Sequence, residues 1–105
     1  MPAKILIMPG SVRNGSYNVS LAWAANKVLA EMGAETTMIS LGDYPLPLVD
    51  ENLKNEEGVP ENAVKLARQF AAHDGLFIAS PEYNSSIPPL LKNALDWVSL
   101  APRDI

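Results

Sequence analysis

Most of the residues that could do chemistry lie in two polar loops. The first loop, Gly10–Asn18, combines the hydroxyls of Ser11 and Ser16, the Asn18 amide and the Arg13 guanidinium. Such groups, beside the free N–H groups of a helix start, are the parts of a phosphate site. The loop lacks the glycine spacing of a dinucleotide site and the lysine of a Walker loop. It predicts a terminal monophosphate; the alternative is an ordinary loop with Ser16 or Asn18 as N-cap.

The second loop, Ser80–Pro89, has the composition of a wall for a flat aromatic ring. Its prolines stiffen it, and Tyr83 could pack on such a ring. Asn84 and backbone groups near Glu82 could reach the ring's heteroatoms. The alternative is a plain connection in which Ser86 caps the next helix and Tyr83 covers the core.

Apolar patterning predicts alternating strands and helices. Short apolar or β-branched runs predict strands at Lys4–Met8, Glu35–Leu41 and Leu76–Ser80. Helical spacing predicts three helices, with the apolar faces Leu21, Ala25, Val28, Leu29 and Met32, then Ala63, Leu66, Ala67 and Phe70, then Leu91, Ala94, Leu95 and Val98. Gly33 ends the first helix, Pro60 opens the second, and residues 42–60 form a long loop.

Strand–helix alternation predicts an α/β fold with a parallel sheet and helices on both faces. In such sheets, ligands bind outside the carboxyl ends of the strands, at the point where the strand order reverses. The two polar loops follow the first and third predicted strands. We therefore expect both loops to meet at one crevice.

Composition narrows the classes of function. The chain has 105 residues, enough for one domain, and 48% of them are hydrophobic, which is typical of a globular protein. Cysteine is absent, which excludes thiolate catalysis and disulfides within these residues. The net charge of −4 disfavours nucleic acid as a partner. No apolar run approaches the roughly 20 residues of a membrane helix, so we expect a cytoplasmic protein.

Other residues that could be functional have simpler interpretations. His73 is predicted to be a cation at a helix C-terminus rather than a catalytic base. Trp23 is predicted to pack in the core. Trp97 is predicted to lie on the exposed side or at the edge of the apolar stripe of the third helix, where it is either part of the core or a subunit contact. The acids of the long loop fit no calcium motif and predict a solvated segment; they are Asp50, Glu51, Glu56 and Glu57.

Two motifs resemble those of the NADPH-dependent FMN reductase family, which includes quinone, azo-dye and chromate reductases. The stretch Gly10–Asn18 matches the pattern G-S-x-R-x-x-S-x-N. The second motif begins at Ser80–Asn84, continues through Ser86 and Pro88, and ends with Leu91–Trp97. The segment Tyr44–Leu48 is also similar, so the resemblance covers essentially the whole chain.

The resemblance implies a flavodoxin-like sheet in strand order 2-1-3 and an FMN cofactor. The family passes a hydride from NADPH or NADH to FMN and then electrons to a second small-molecule acceptor, and it commonly forms homodimers or homotetramers. The flavin carries the chemistry, so no catalytic side chain and no metal ligand are expected. By resemblance, the phosphate-binding residues are Ser11, Arg13, Ser16, Tyr17 and Asn18. The ring-lining residues are Pro81, Glu82, Tyr83, Asn84 and Ser85.

The chain is shorter than the proteins it resembles, which continue with two further strands and their helices. We therefore expect residues 1–105 to form one FMN-binding domain that lacks its C-terminal part. A third strand with an unpaired edge would invite association. Two alternatives remain open at this stage: a flavin-binding electron carrier without nicotinamide activity, and an inactive fragment.

Overall fold

The computed structural model describes residues 2–10, 17–80 and 89–101. These ranges contain three strands, β1 (Lys4–Pro9), β2 (Glu35–Met38) and β3 (Gly75–Ala79). In the same ranges there are four α-helices, α1 (Tyr17–Glu31), α2 (Glu51–Glu57), α3 (Glu61–Ala71) and α4 (Pro89–Leu100), with a 3-10 helix at Leu41–Asp43. Among these residues, no helix has the length and apolarity to cross a membrane.

The strands form one parallel sheet in the predicted order β2-β1-β3. On one side Lys4 of β1 pairs with Glu35 of β2, and on the other Ile5 pairs with Gly75 of β3. Because β1 is central, its apolar run is buried on both faces of the sheet. This confirms the α/β, flavodoxin-like prediction.

The two faces of the sheet support separate cores. Leu6 and Met8 pack with Leu66 of α3 and Leu91 of α4 on one face. On the other face, a smaller cluster joins Ile7 to Ala22 of α1 and to Ala79 of β3. The alternation of side chains along β1 thus directs successive residues to opposite helical layers.

α1 ends where the sequence predicts. Gly33 has a φ of +95°, a left-handed conformation that glycine adopts without steric cost. The Gly33 N–H donates to the Ala30 carbonyl, and the Ala34 N–H to the Leu29 carbonyl. These are the two hydrogen bonds of a Schellman motif, and they turn the chain directly into β2.

The segment between β2 and α3 is more ordered than predicted. β2 ends at Met38 rather than Leu41, because the chain turns into the 3-10 helix at Leu41–Asp43. Within the predicted long loop, α2 forms because the Asp50 carboxylate accepts a hydrogen bond from the Asn52 N–H across 2.8 Å. An N-cap of this kind satisfies one of the free N–H groups of a helix start.

The prediction for Trp23 was wrong, and of the two alternatives for Trp97 the structure shows the core. Trp97 is fully buried in α4, and its indole N–H donates to the Pro47 carbonyl across 2.6 Å. Trp23 is 58% exposed on α1 rather than packed in the core. His73 does contact the end of α3 as expected, with Nδ1 2.6 Å from the Gln69 carbonyl oxygen.

Candidate functional site at the carboxyl edge of the sheet

The starts of the two predicted ligand loops lie side by side. Pro9, the last residue of β1, pairs with Ala79, the last residue of β3. One residue further, the Gly10 N–H donates to the Ala79 carbonyl across 2.7 Å. The chain therefore enters both loops from adjacent points of the same edge, as the loop positions predict.

Three segments meet closely at Gly10. This residue is buried, and an ideal Cβ placed on it would lie 3.2 Å from Leu91 Cδ2. The same Cβ would lie 3.4 Å from Cα and Cβ of Ser80. Glycine thus lets β1 approach the first turn of α4 and the end of β3 where the loops begin.

Two helices start at this edge, and their first turns carry no acid. α1 begins at Tyr17 after the first loop, and α4 begins at Pro89 after the second. By contrast, α3 begins with Glu61 and α2 is capped by Asp50. Helix N-termini carry partial positive charge, so the two starts without acids leave that charge available to an anion.

The predicted ligand residues fall into two groups. Tyr17 and Asn18 lie on the first turn of α1, where Tyr17 is 88% exposed and Asn18 is half-buried. The remaining eight lie outside the described residues, and their roles stay predictions. They are Ser11, Arg13, Ser16, Pro81, Glu82, Tyr83, Asn84 and Ser85.

Sequence reasoning missed a polar clamp on α4. The Asn93 side chain donates to the Pro47 carbonyl across 2.8 Å and accepts from the Val49 N–H across 2.9 Å. Trp97 donates to the same Pro47 oxygen. Because Asn93 and Trp97 are four residues apart, they share one face of the helix. That spacing, opposite a proline-rich segment, is the signal that could have revealed the clamp.

These hydrogen bonds hold residues 47–49, in the segment that follows β2, against α4. Asn62 of α3 fixes its other end by donating to the Pro45 carbonyl across 2.8 Å. The segment is therefore attached to both helices of one layer. Within the described residues, no cluster of three or more histidine or acidic side chains could hold a metal.

Comparison with known proteins identifies the family of this chain. The sequence profile of the NADPH-dependent FMN reductase family matches residues 3–105. The chain belongs to this family.

Two similar curated proteins are bacterial reductases. A quinone reductase of Escherichia coli K12 is 37% identical over 99 residues, which are 94% of this chain and 52% of the relative. A 2-hydroxy-1,4-benzoquinone reductase of a Burkholderia species is 40% identical over 94% of this chain and 51% of its own length. The chain spans about half the length of these relatives.

A solved structure supports the same fold. The flavoenzyme FerB, an NAD(P)H:(acceptor) oxidoreductase of Paracoccus denitrificans, superimposes with a TM-score of 0.76 at 31% sequence identity. The match covers 97% of this chain and 53% of FerB. The three strands and their helices thus correspond to half of a larger flavodoxin-like domain.

Proposed function

We propose that this chain binds FMN and belongs to an NAD(P)H-dependent oxidoreductase that reduces a quinone or a similar small acceptor. The similar proteins are named as quinone reductases, a benzoquinone reductase and an NAD(P)H:(acceptor) oxidoreductase. Azo compounds, chromate and free flavin are acceptors that the family resemblance also suggests. Because the chain spans about half of its relatives, the activity is proposed for the whole domain.

The observation that carries the proposal is the hydrogen bond from Gly10 to Ala79, which joins the starts of the two loops. A flavin mononucleotide has a dianionic phosphate at one end and an apolar ring at the other. Two loops that start side by side and differ in composition suit such a ligand. The first is rich in hydroxyls and holds Arg13, while the second is rich in proline and holds Tyr83.

The donor chemistry at α1 fits a phosphate. Its first turn carries no carboxylate, so nothing there repels an anion. Arg13 would pair with phosphate oxygens, and a charge-assisted hydrogen bond of this kind is about twice as strong as a neutral one. The remaining proposed phosphate ligands are Ser11, Ser16, Tyr17 and Asn18.

The proposed wall of the flavin ring is the second loop. Tyr83 would pack on the ring, and Asn84 with the backbone near Glu82 would bond its heteroatoms. Pro81 and Ser85 complete the proposed wall. A bound flavin would supply the hydride and electron chemistry, so the residues of this chain would bind the flavin, orient it and shield it from water.

The proposed assembly comes from the family resemblance, and the proposed cellular location is the one expected from the sequence. We propose a homodimer or homotetramer in the cytoplasm. Size-exclusion chromatography with light scattering measures the oligomeric state directly.

The test is a titration of the purified chain with FMN, followed by anaerobic NADPH. FMN fluorescence should be quenched when FMN binds to the chain. In the complete domain, NADPH should also bleach the visible absorbance of the flavin. Failure of FMN to bind would contradict the proposal. Bleaching by dithionite but not by NADPH would leave an electron carrier without nicotinamide activity.

A further inference from the structure

A pocket of about 430 Å³ lies between α3 and the segment that follows β2. Its volume is in the range of sites that take small molecules. The described residues that line it are Tyr44, Lys65, Arg68, Gln69 and Ala72. The pocket thus combines two cationic side chains with a phenol ring, and this lining contains no carboxylate.

One wall of the pocket is a single side of α3. Lys65, Arg68, Gln69 and Ala72 stand at positions i, i+3, i+4 and i+7, so they follow one another along the same side of the helix. Leu66, on the neighbouring side, is fully buried and holds the helix against the core. The two cations are three residues apart, a rise of about 4.5 Å, so both can reach one anionic group.

The opposite wall is held in place by hydrogen bonds. The Tyr44 N–H donates to the Leu41 carbonyl across 3.1 Å, which closes the 3-10 helix. The next carbonyl, that of Pro45, accepts from the Asn62 side chain of α3 across 2.8 Å. The Tyr44 side chain is half-buried and packs against the core that contains Leu66. Its ring is therefore a preorganised surface, which lowers the entropic cost of binding a ligand there.

The charge of the pocket is opposite to that of the chain. The chain has a net charge of −4, yet the pocket lining holds Lys65 and Arg68. Within the described ranges, Arg68 forms no ion pair, and Lys65 pairs with Glu61 alone, at 3.6 Å with both side chains more than half exposed. An exposed pair of this kind is worth little, so an anionic ligand can displace it. Both cations are therefore available to a ligand.

We propose that this pocket binds a small aromatic carboxylate, with its anionic group between Lys65 and Arg68 and its ring against Tyr44. The orientation follows from the helix. α3 ends at Ala71, and the last turn of a helix carries partial negative charge. The carboxylate group therefore lies nearer Lys65, and the ring lies nearer Ala72.

Other kinds of ligand use only part of this lining. An inorganic anion would satisfy the two cations but would leave the Tyr44 ring and the Ala72 methyl group without a contact. A neutral aromatic molecule would use the ring and leave both cations to water. The proposal does not rest on flavin binding, because none of the lining residues belongs to the proposed FMN site.

The experiment titrates the purified, 15N-labelled chain with three ligands and follows its amide resonances by NMR. The ligands are naphthalene-2-carboxylate, the neutral naphthalene-2-carboxamide, and acetate, which has no ring. We expect the naphthalene carboxylate to bind about tenfold or more tightly than either of the others, because only it offers both a charge and a ring. The shifted resonances should be those of α3 around Arg68 and of residues 41–45. Equal affinity for the carboxylate and the carboxamide, no binding at several millimolar ligand, or shifts confined to α1 would overturn the proposal.

A pair of variants separates the pocket from the general charge of the protein. Arg68→Gln removes a cation from the pocket, and Lys27→Gln removes one from an exposed position on α1. Both positions are exposed, so both variants should fold. We expect R68Q to weaken binding of the naphthalene carboxylate about fivefold or more and to leave binding of the carboxamide unchanged, while K27Q changes neither. The proposal is also overturned if R68Q and K27Q affect the carboxylate alike.

Discussion

The backbone N–H of Gly10 donates a hydrogen bond to the carbonyl oxygen of Ala79 across 2.7 Å. This bond continues the β1–β3 pairing by one residue, at the point where both strands give way to polar loops. It fixes the starting points of the two loops relative to each other. Side chains that are about 70 residues apart in the sequence can then act on one ligand.

Gly10→Ala should weaken both the fold and FMN binding. Its new Cβ would meet Leu91 Cδ2 at 3.2 Å, and Leu91 is buried, so the cost should be about 1–3 kcal/mol in the free energy of unfolding. Urea denaturation measures this loss, and fluorescence titration measures the accompanying rise in the FMN dissociation constant.

Gly75→Ala is the matched control for this prediction. Its Cβ would meet Ile5 Cδ1, also at 3.2 Å, but at the amino end of β3, away from both loops. We expect it to lower stability without changing FMN affinity beyond that effect. Equal losses of FMN affinity in G10A and G75A would show that crowding at Gly10 has no special effect on the site.

Trp97→Phe should destabilise the chain, whereas Trp23→Phe should not. The phenylalanine keeps most of the buried ring but removes the indole N–H that bonds the Pro47 carbonyl, which costs about 1 kcal/mol for the hydrogen bond. Trp23 is more than half exposed, so its change should stay within about 0.5 kcal/mol. Thermal unfolding followed by circular dichroism compares the two variants.

Trp97→Phe and Asn93→Ala should be more damaging together than the sum of their separate effects. Both side chains donate to the Pro47 carbonyl oxygen, so either one can satisfy this acceptor when the other is lost. Only the double variant leaves the acceptor without a side-chain donor, which predicts a coupling of about 0.5 kcal/mol or more. A double-mutant cycle in urea measures this term, and strict additivity would contradict a shared acceptor.

The sheet could be predicted from sequence because its signals are local. The run Lys4–Met8 is apolar throughout, which is typical of a central parallel strand buried on both faces. Gly33 was predictable as a helix stop because its left-handed conformation is one that other residues rarely adopt. The strand order 2-1-3 was predicted from the family resemblance, and the structure confirms it.

Features that depend on distant contacts were not predictable. Trp97 falls beside the apolar stripe of α4, and only the fold brings the Pro47 carbonyl, 50 residues away, to its indole N–H. The prediction for Trp23 was wrong because a tryptophan on an apolar helix usually packs, whereas the Trp23 side chain lies on an exposed side of α1. α2 was not predicted because Asp50 can be recognised as an N-cap only from its backbone conformation, which the sequence does not show.

The most direct test of the proposed site compares FMN with riboflavin, which lacks the phosphate. Dissociation constants are measured by fluorescence quenching for the unchanged chain, for Arg13→Ala and for the control Arg68→Ala, an exposed position on α3. We expect R13A to weaken FMN binding by about 2 kcal/mol and to leave riboflavin binding nearly unchanged, while R68A alters neither. Equal losses for both ligands in R13A would contradict a phosphate site in the first loop.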